Sequence, residues 1–191
     1  VGVYFNLYSS EADAELQQLA EKISPMSADF SNDFYLDNDI FQKVKIVYEN
    51  INQLNQEDAR LTENFYISFV RNGALLNSEQ KEKMRAIDKE LSVLSPRFSK
   101  NVLEATNEFE LWIEDGKELD GLPESALVAA KETAESKGRK NAWMFSLQMP
   151  SYFPFMTYAK NRYLREKIYM ASTSKCTSGE FDNCENIKKI T

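Results

Sequence analysis

Along most of the chain apolar residues recur at steps of three and four, the spacing that puts them on one face of an amphipathic helix. Leu16, Leu19, Ala20 and Ile23 predict a first helix, with Ser24-Pro25 as its stop. Asp37 or Asn38 is placed to cap a second, whose stripe is Phe41, Val44, Val47, Tyr48 and Ile51. Residues 56 to 71 predict a third through Ala59, Thr62, Phe65, Tyr66 and Phe69, and Asn72-Gly73 supplies the left-handed stop that helix ends favour. From Asn77 or Ser78 runs the longest pattern, Met84, Ile87, Leu91, Leu94, Phe98, Val102, Ala105 and Phe109, a buried-seam helix. Pro96 lies inside it and removes an amide donor there, so a kink is expected near Val93 to Ser95.

Beyond Phe109 the period changes to two. Phe109, Leu111 and Ile113 alternate with Glu108, Glu110, Trp112 and Glu114 up to an Asp115-Gly116 turn, and Trp143, Phe145 and Leu147 alternate again. These predict two short strands that pair. Between them Pro123 and Gly138 bracket a helix over 124–137, since proline suits a helix start and glycine its end. After Pro150 a final long helix is predicted from near Pro154 to about Ser172. The pattern as a whole predicts a mainly α protein: one helical domain over 1–191, with long antiparallel helices and a small two-stranded β element.

Composition narrows the chemistry. The 191 residues contain no histidine, so the side chain that titrates nearest neutrality and most often binds zinc is missing. Six glycines and five prolines are too few for an all-β sandwich or barrel. The net charge of −7 disfavours nucleic acid. The excess is local: residues 1–60 hold 11 acids and 4 bases, against 19 of each over 61–191, which reads as a solvated acidic face. No apolar run is long enough for a membrane span. Cys176 and Cys184, eight apart, do not make a C-x-x-C pattern and read as free thiols. The carboxylate pairs Asp37/Asp39, Glu108/Glu110 and Glu114/Asp115 read as a cap, a strand face and a turn. Ser151 has neither a glycine elbow nor a histidine base.

The most distinctive run is residues 150–169, PSYFPFMTYAKNRYLREKIY. As one helix it would set Tyr158, Arg162, Arg165 and Tyr169 on a common face, where guanidinium forks could clamp a carboxylate or tie the helix to neighbouring acids. This run resembles the thimet oligopeptidase family of zinc metallopeptidases, in particular its bacterial peptidyl-dipeptidase and oligopeptidase A branch. Phe5-Asn6-Leu7, residues 16–25, residues 41–48, residues 69–76, residues 119–123 and residues 179–183 resemble the same family in the same order.

The resemblance implies the N-terminal helical lobe of a larger two-lobed hydrolase of short peptides, three to four times as long. In that parent, zinc and the His-Glu-x-x-His helix belong to a C-terminal catalytic lobe, which would be this segment's partner. The segment alone is expected to hold no zinc and to be inactive. The absence of an initiator Met before Val1, and of a cap after Ile187 and Ile190, is what such a segment would show. Tyr152, Phe155, Tyr158 and Arg162 are the candidates for the substrate channel or the lobe interface. The family implies a cytoplasmic location, unless a leader precedes Val1. The competing expectation is a stand-alone helical interaction module without catalysis.

Overall fold

The computed structural model describes residues 1–11 and 13–191. The chain divides into two compact units, Val1–Pro96 and Arg97–Thr191. The first contains α1 (Gly2–Glu11), α2 (Ala14–Tyr35), α3 (Asn38–Glu49), α4 (Gln56–Arg71) and the beginning of α5 (Ser78–Glu108). The second contains the end of α5, β1 (Leu111–Ile113), α6 (Glu124–Ser136), β2 (Trp143–Phe145), α7 (Met149–Tyr158), α8 (Arg162–Ser174) and α9 (Cys184–Ile190). The protein is therefore mainly helical, as its periodicity predicts.

Caps set the boundaries in the first unit. The Asp37 carboxylate accepts from Ile40 N–H at 2.8 Å to start α3, and the Asn55 side chain accepts from Asp58 N–H at 2.9 Å to start α4. Asn77 and Gln80 exchange side-chain-to-backbone bonds of 2.9 and 3.1 Å, a capping box for α5. After α4, Gly73 adopts φ +91°, and a Cβ there would meet Met84 and Leu76. The core of this unit is Phe41, Phe69 and Ala74, with Phe34, Tyr35 and Tyr66 around it. Phe69 sits 5.2 Å from both the Phe34 and Tyr35 rings.

Two expectations fail here. The first predicted helix does not stop at Ser24-Pro25; α2 continues through Pro25 to Tyr35. Ala20 before the proline and Leu36 after it are both buried, so packing on each side offsets a missing donor worth about 3 kcal/mol. The α5 seam is also less buried than its spacing implies. Leu94 is buried but Ile87 is 58% exposed, because apolar spacing defines a face without supplying a partner for it. The helix runs on through Pro96.

Among the described residues the Ser24 hydroxyl is buried without a hydrogen-bond partner. Ser24→Ala is expected to raise stability by about 0.5–1 kcal/mol, since it removes an unsatisfied polar group. A urea midpoint that falls would refute this.

In the second unit β1 and β2 pair antiparallel with Leu111 opposite Phe145, Trp112 opposite Met144 and Ile113 opposite Trp143. One face feeds the main core of Leu111, Ile113, Phe145, Leu147, Phe155, Leu164 and Ile168. The other buries Met144 with Ala134 and Ala142 against Trp112. Trp112 lies on the face predicted to meet solvent, yet it is half-buried: its indole N–H donates to Glu110 at 2.9 Å and the Arg139 guanidinium stands 4.5 Å from its ring centroid. Lys137 also pairs with Glu110, and this holds the Glu110 carboxyl below the usual carboxylate range.

Candidate functional site

The run 150–169 forms two helices, not the single one expected. α7 starts after Gln148, whose side-chain amide donates to Asn107 at 2.7 Å, and Pro150 occupies its first turn. The Ser151 hydroxyl accepts from Ser146 N–H at 3.0 Å, tying this turn to the end of β2. α7 ends at Tyr158 because Ala159 turns extended and Lys160 N–H donates 2.9 Å away, to the carbonyl of Asp120. The Asn161 side chain then accepts from Leu164 N–H and caps α8.

The sequence Ala159-Lys160-Asn161 is thus an elbow. Two contacts hold it. The Arg165 guanidinium donates to the Ala159 carbonyl, which the break leaves without a helical partner. Gly121, at φ +93°, lies so close that a Cβ would collide with the Tyr158 carbonyl oxygen. Asn161→Ala is expected to cost about 1 kcal/mol through the lost cap, measured by chemical denaturation.

The elbow redistributes the candidate residues. Phe155 is 0% exposed, with its ring 4.7 Å from Phe145 in edge geometry, so it belongs to the core. Tyr152 is half-buried and packs on that core. Tyr158 is 55% exposed on α7, and Arg162 is exposed at the first turn of α8. The expectation that Tyr158, Arg162, Arg165 and Tyr169 share a helical face is therefore corrected. Tyr158 belongs to another helix, and Arg165 is engaged with the elbow carbonyl. The exposed residues about α7 and α8 include Phe153, Tyr158, Tyr163, Tyr169, Met170 and Arg162, with Tyr163 71% exposed.

A cleft of about 230 Å³ lies between α6, β2 and the start of α7, lined by Ala126, Ala130, Met144, Ser146, Pro150 and Ser151 among others. None of the four candidates lines it. Its hydroxyls are already used: Ser151 accepts from Ser146 N–H, Ser146 accepts from Gln148 N–H at 3.3 Å, and Thr133 donates to Ala129 O at 2.7 Å. Among the described residues no three of His, Cys, Asp and Glu gather where a metal ion could be held. Sequence reasoning missed the parts played by Gly121 and Arg165. The signal for the first was the Asp120-Gly121 dipeptide, a frequent mark of a positive-φ turn.

No protein-family model matches the chain. Among individual proteins it is 36% identical to probable cytosolic oligopeptidase A of Arabidopsis thaliana, over 99% of this chain and 28% of that protein. It is 43% identical to oligopeptidase A of Haemophilus influenzae over 67% of this chain and 19% of that protein. With dipeptidyl carboxypeptidase of Escherichia coli the identity is 28%, over 97% of this chain and 28% of that protein. The match spans 28%, 19% and 28% of the length of these three relatives. Continuous similarity of that extent, over a helical fold that matches its own periodicity, makes the chain a member of the family of oligopeptidase A, dipeptidyl carboxypeptidase and the thimet-like oligopeptidases.

Proposed function

We propose that the chain is the N-terminal, substrate-channel lobe of a zinc metallopeptidase that hydrolyses short peptides, and that both of its compact units belong to that lobe. The observation that carries this reading is similarity along 99% of the chain to a protein named an oligopeptidase, of which it spans 28%. The remaining length of such a parent would supply the catalytic lobe. The residues in hand do not fit a zinc centre, since the chain has no histidine and the described residues offer no metal-binding cluster. No hydrolytic step is assigned to them, and the chain alone should neither hold zinc stoichiometrically nor turn over peptide.

Its work is geometric. A helical surface facing a catalytic lobe narrows the approach to the metal, admitting extended peptides and excluding folded proteins, and closure over substrate would use the same surface. Tyr158 and Arg162, exposed on either side of the elbow, are the groups able to meet a peptide or the opposing lobe, Arg162 through a carboxylate or carbonyl. Tyr152 and Phe155 act from behind, by fixing where α7 lies. A cytosolic site of action accords with one relative's name, while another relative is named organellar.

Arg162→Ala in the full-length parent tests this. The expected result is a kcat/KM for a quenched short peptide reduced about 10-fold, with a melting temperature within a degree or two of wild type. A lowered melting temperature with normal kinetics would reject the assignment of Arg162. Stoichiometric zinc bound to the 191-residue chain, or peptide turnover by it, would reject the larger reading.

A further inference from the structure

We infer that Cys176 and Cys184 form a reversible dithiol–disulfide couple that closes the connection between α8 and α9. The inference is independent of the peptidase reading, because it uses only the second unit's own contacts. Both thiols are free, Cys176 half-buried and Cys184 exposed. The neck of the loop is already drawn together. Asn183 N–H donates to the Cys176 carbonyl at 2.9 Å, and the Cys184 Sγ lies 3.7 Å from the carbonyl oxygen of Thr177, the residue after Cys176.

A disulfide needs its two Cα atoms roughly 4.4–6.8 Å apart, and the two neck contacts each join one cysteine to the residue beside the other, Cys176 to Asn183 and Cys184 to Thr177. One side of the neck is rigid. Asn183 is 0% exposed, and its side chain accepts from Asn101 and Asn186, each at 2.9 Å, and donates to the Phe98 carbonyl at 3.1 Å. The other side is more exposed, with Thr177 tied to the Ser174 carbonyl. Cys176 holds φ +61°, uncommon outside glycine, and its thiol is retained by a 3.4 Å contact to the Asn101 carbonyl. Residues 177–180 are exposed, and Gly179, at φ +80°, has open space around it. Closing the bond therefore requires the Cys176 side chain to leave Asn101 and the exposed stretch to adjust, while Asn183 stays in place.

With oxidised glutathione as the oxidant the step balances. The Cys184 thiolate attacks one glutathione sulfur and expels a glutathione thiolate. The Cys176 thiolate then attacks the Cys184 sulfur of the mixed disulfide and expels the second. The two protons lost by the protein thiols end on two reduced glutathiones. Cys184 is raised above the ordinary thiol range chiefly by its hydrogen bond to the Asp182 carboxylate, with Glu185 adding to this and Lys188 opposing it. Cys176 is raised by burial, with Asp182 adding and Lys175 opposing. A raised thiol pKa leaves little thiolate at neutral pH, so exchange should accelerate about 10-fold per pH unit upward from neutrality. Asp182→Asn should move that profile to lower pH.

The test equilibrates the reduced 191-residue chain in glutathione buffers, traps free thiols, and maps the products by mass spectrometry. The expected product is a monomer lighter by two hydrogens with Cys176 joined to Cys184. It should form at a ratio about 10-fold more reducing than the urea-unfolded chain requires, since the neck raises the effective thiol concentration. Cys176→Ser should stop at a glutathione adduct on Cys184. Persistent adducts on both thiols, a predominance of disulfide-linked dimers, or a native chain no easier to oxidise than the unfolded one would each overturn the inference.

Discussion

Alanine in place of Gly121 is expected to destabilise the protein by about 3 kcal/mol or more, the larger part of it steric. Two costs combine at this position. The backbone holds φ +93°, where a Cβ costs about 1–2 kcal/mol. The new methyl would also strike the Tyr158 carbonyl, a backbone atom that cannot rotate aside. Relief would mean lifting the α7–α8 elbow away from residues 120 and 121, and with it the bond from Lys160 N–H to the Asp120 carbonyl. Gly138 supplies the control. It has a similar φ of +84° but, among the described residues, no atom within 4 Å of the added Cβ, so Gly138→Ala should cost only about 1 kcal/mol. Urea denaturation of both variants separates the contributions. Equal losses would show that the close approach at Gly121 carries no energy of its own.

Phe155→Ala is expected to cost about 3–5 kcal/mol, the range for removing a fully enclosed aromatic side chain. The ring sits edge-on to Phe145 and among Leu111, Leu122, Leu164 and Ile168, so its loss leaves a cavity where β2, α7 and α8 meet. Tyr158→Ala, three residues on, should change stability by no more than about 0.5 kcal/mol because the side chain is mostly in solvent. The pair divides the aromatic run into a residue that holds α7 and one free to touch something else. A Phe155→Ala variant as stable as Tyr158→Ala would mean that the two helices are held by other contacts.

Local signals decided by one short-range interaction were legible at some positions and not at others. Asp37, Asn55, Asn77 and Asn161 each accept a backbone amide at a helix start, and a cap needs only a side chain three residues from its donor. Of these, Asp37 and Asn77 were legible as caps, and the period-two stretches led to the observed β1–β2 pair. Asn161 went unread because Tyr158, Arg162, Arg165 and Tyr169 follow one another at steps of 4, 3 and 4, a helical spacing that runs unbroken across the elbow. Pro25 misled in the opposite direction. A proline's local cost is fixed, but whether a helix tolerates it depends on what each flank buries.

Sequence by itself determined the helical class, the paired strands, most element starts and, through six ordered blocks, the family, because caps, periods and motifs act between residues close along the chain. Tertiary structure alone decided that Phe155 is core while Tyr158 is surface, that Gly121 must be glycine against a carbonyl 37 positions away, and that Asn183 is buried against α5. Those outcomes depend on which segments meet across the fold, and the enclosed space and partners that result belong to no single stretch of sequence.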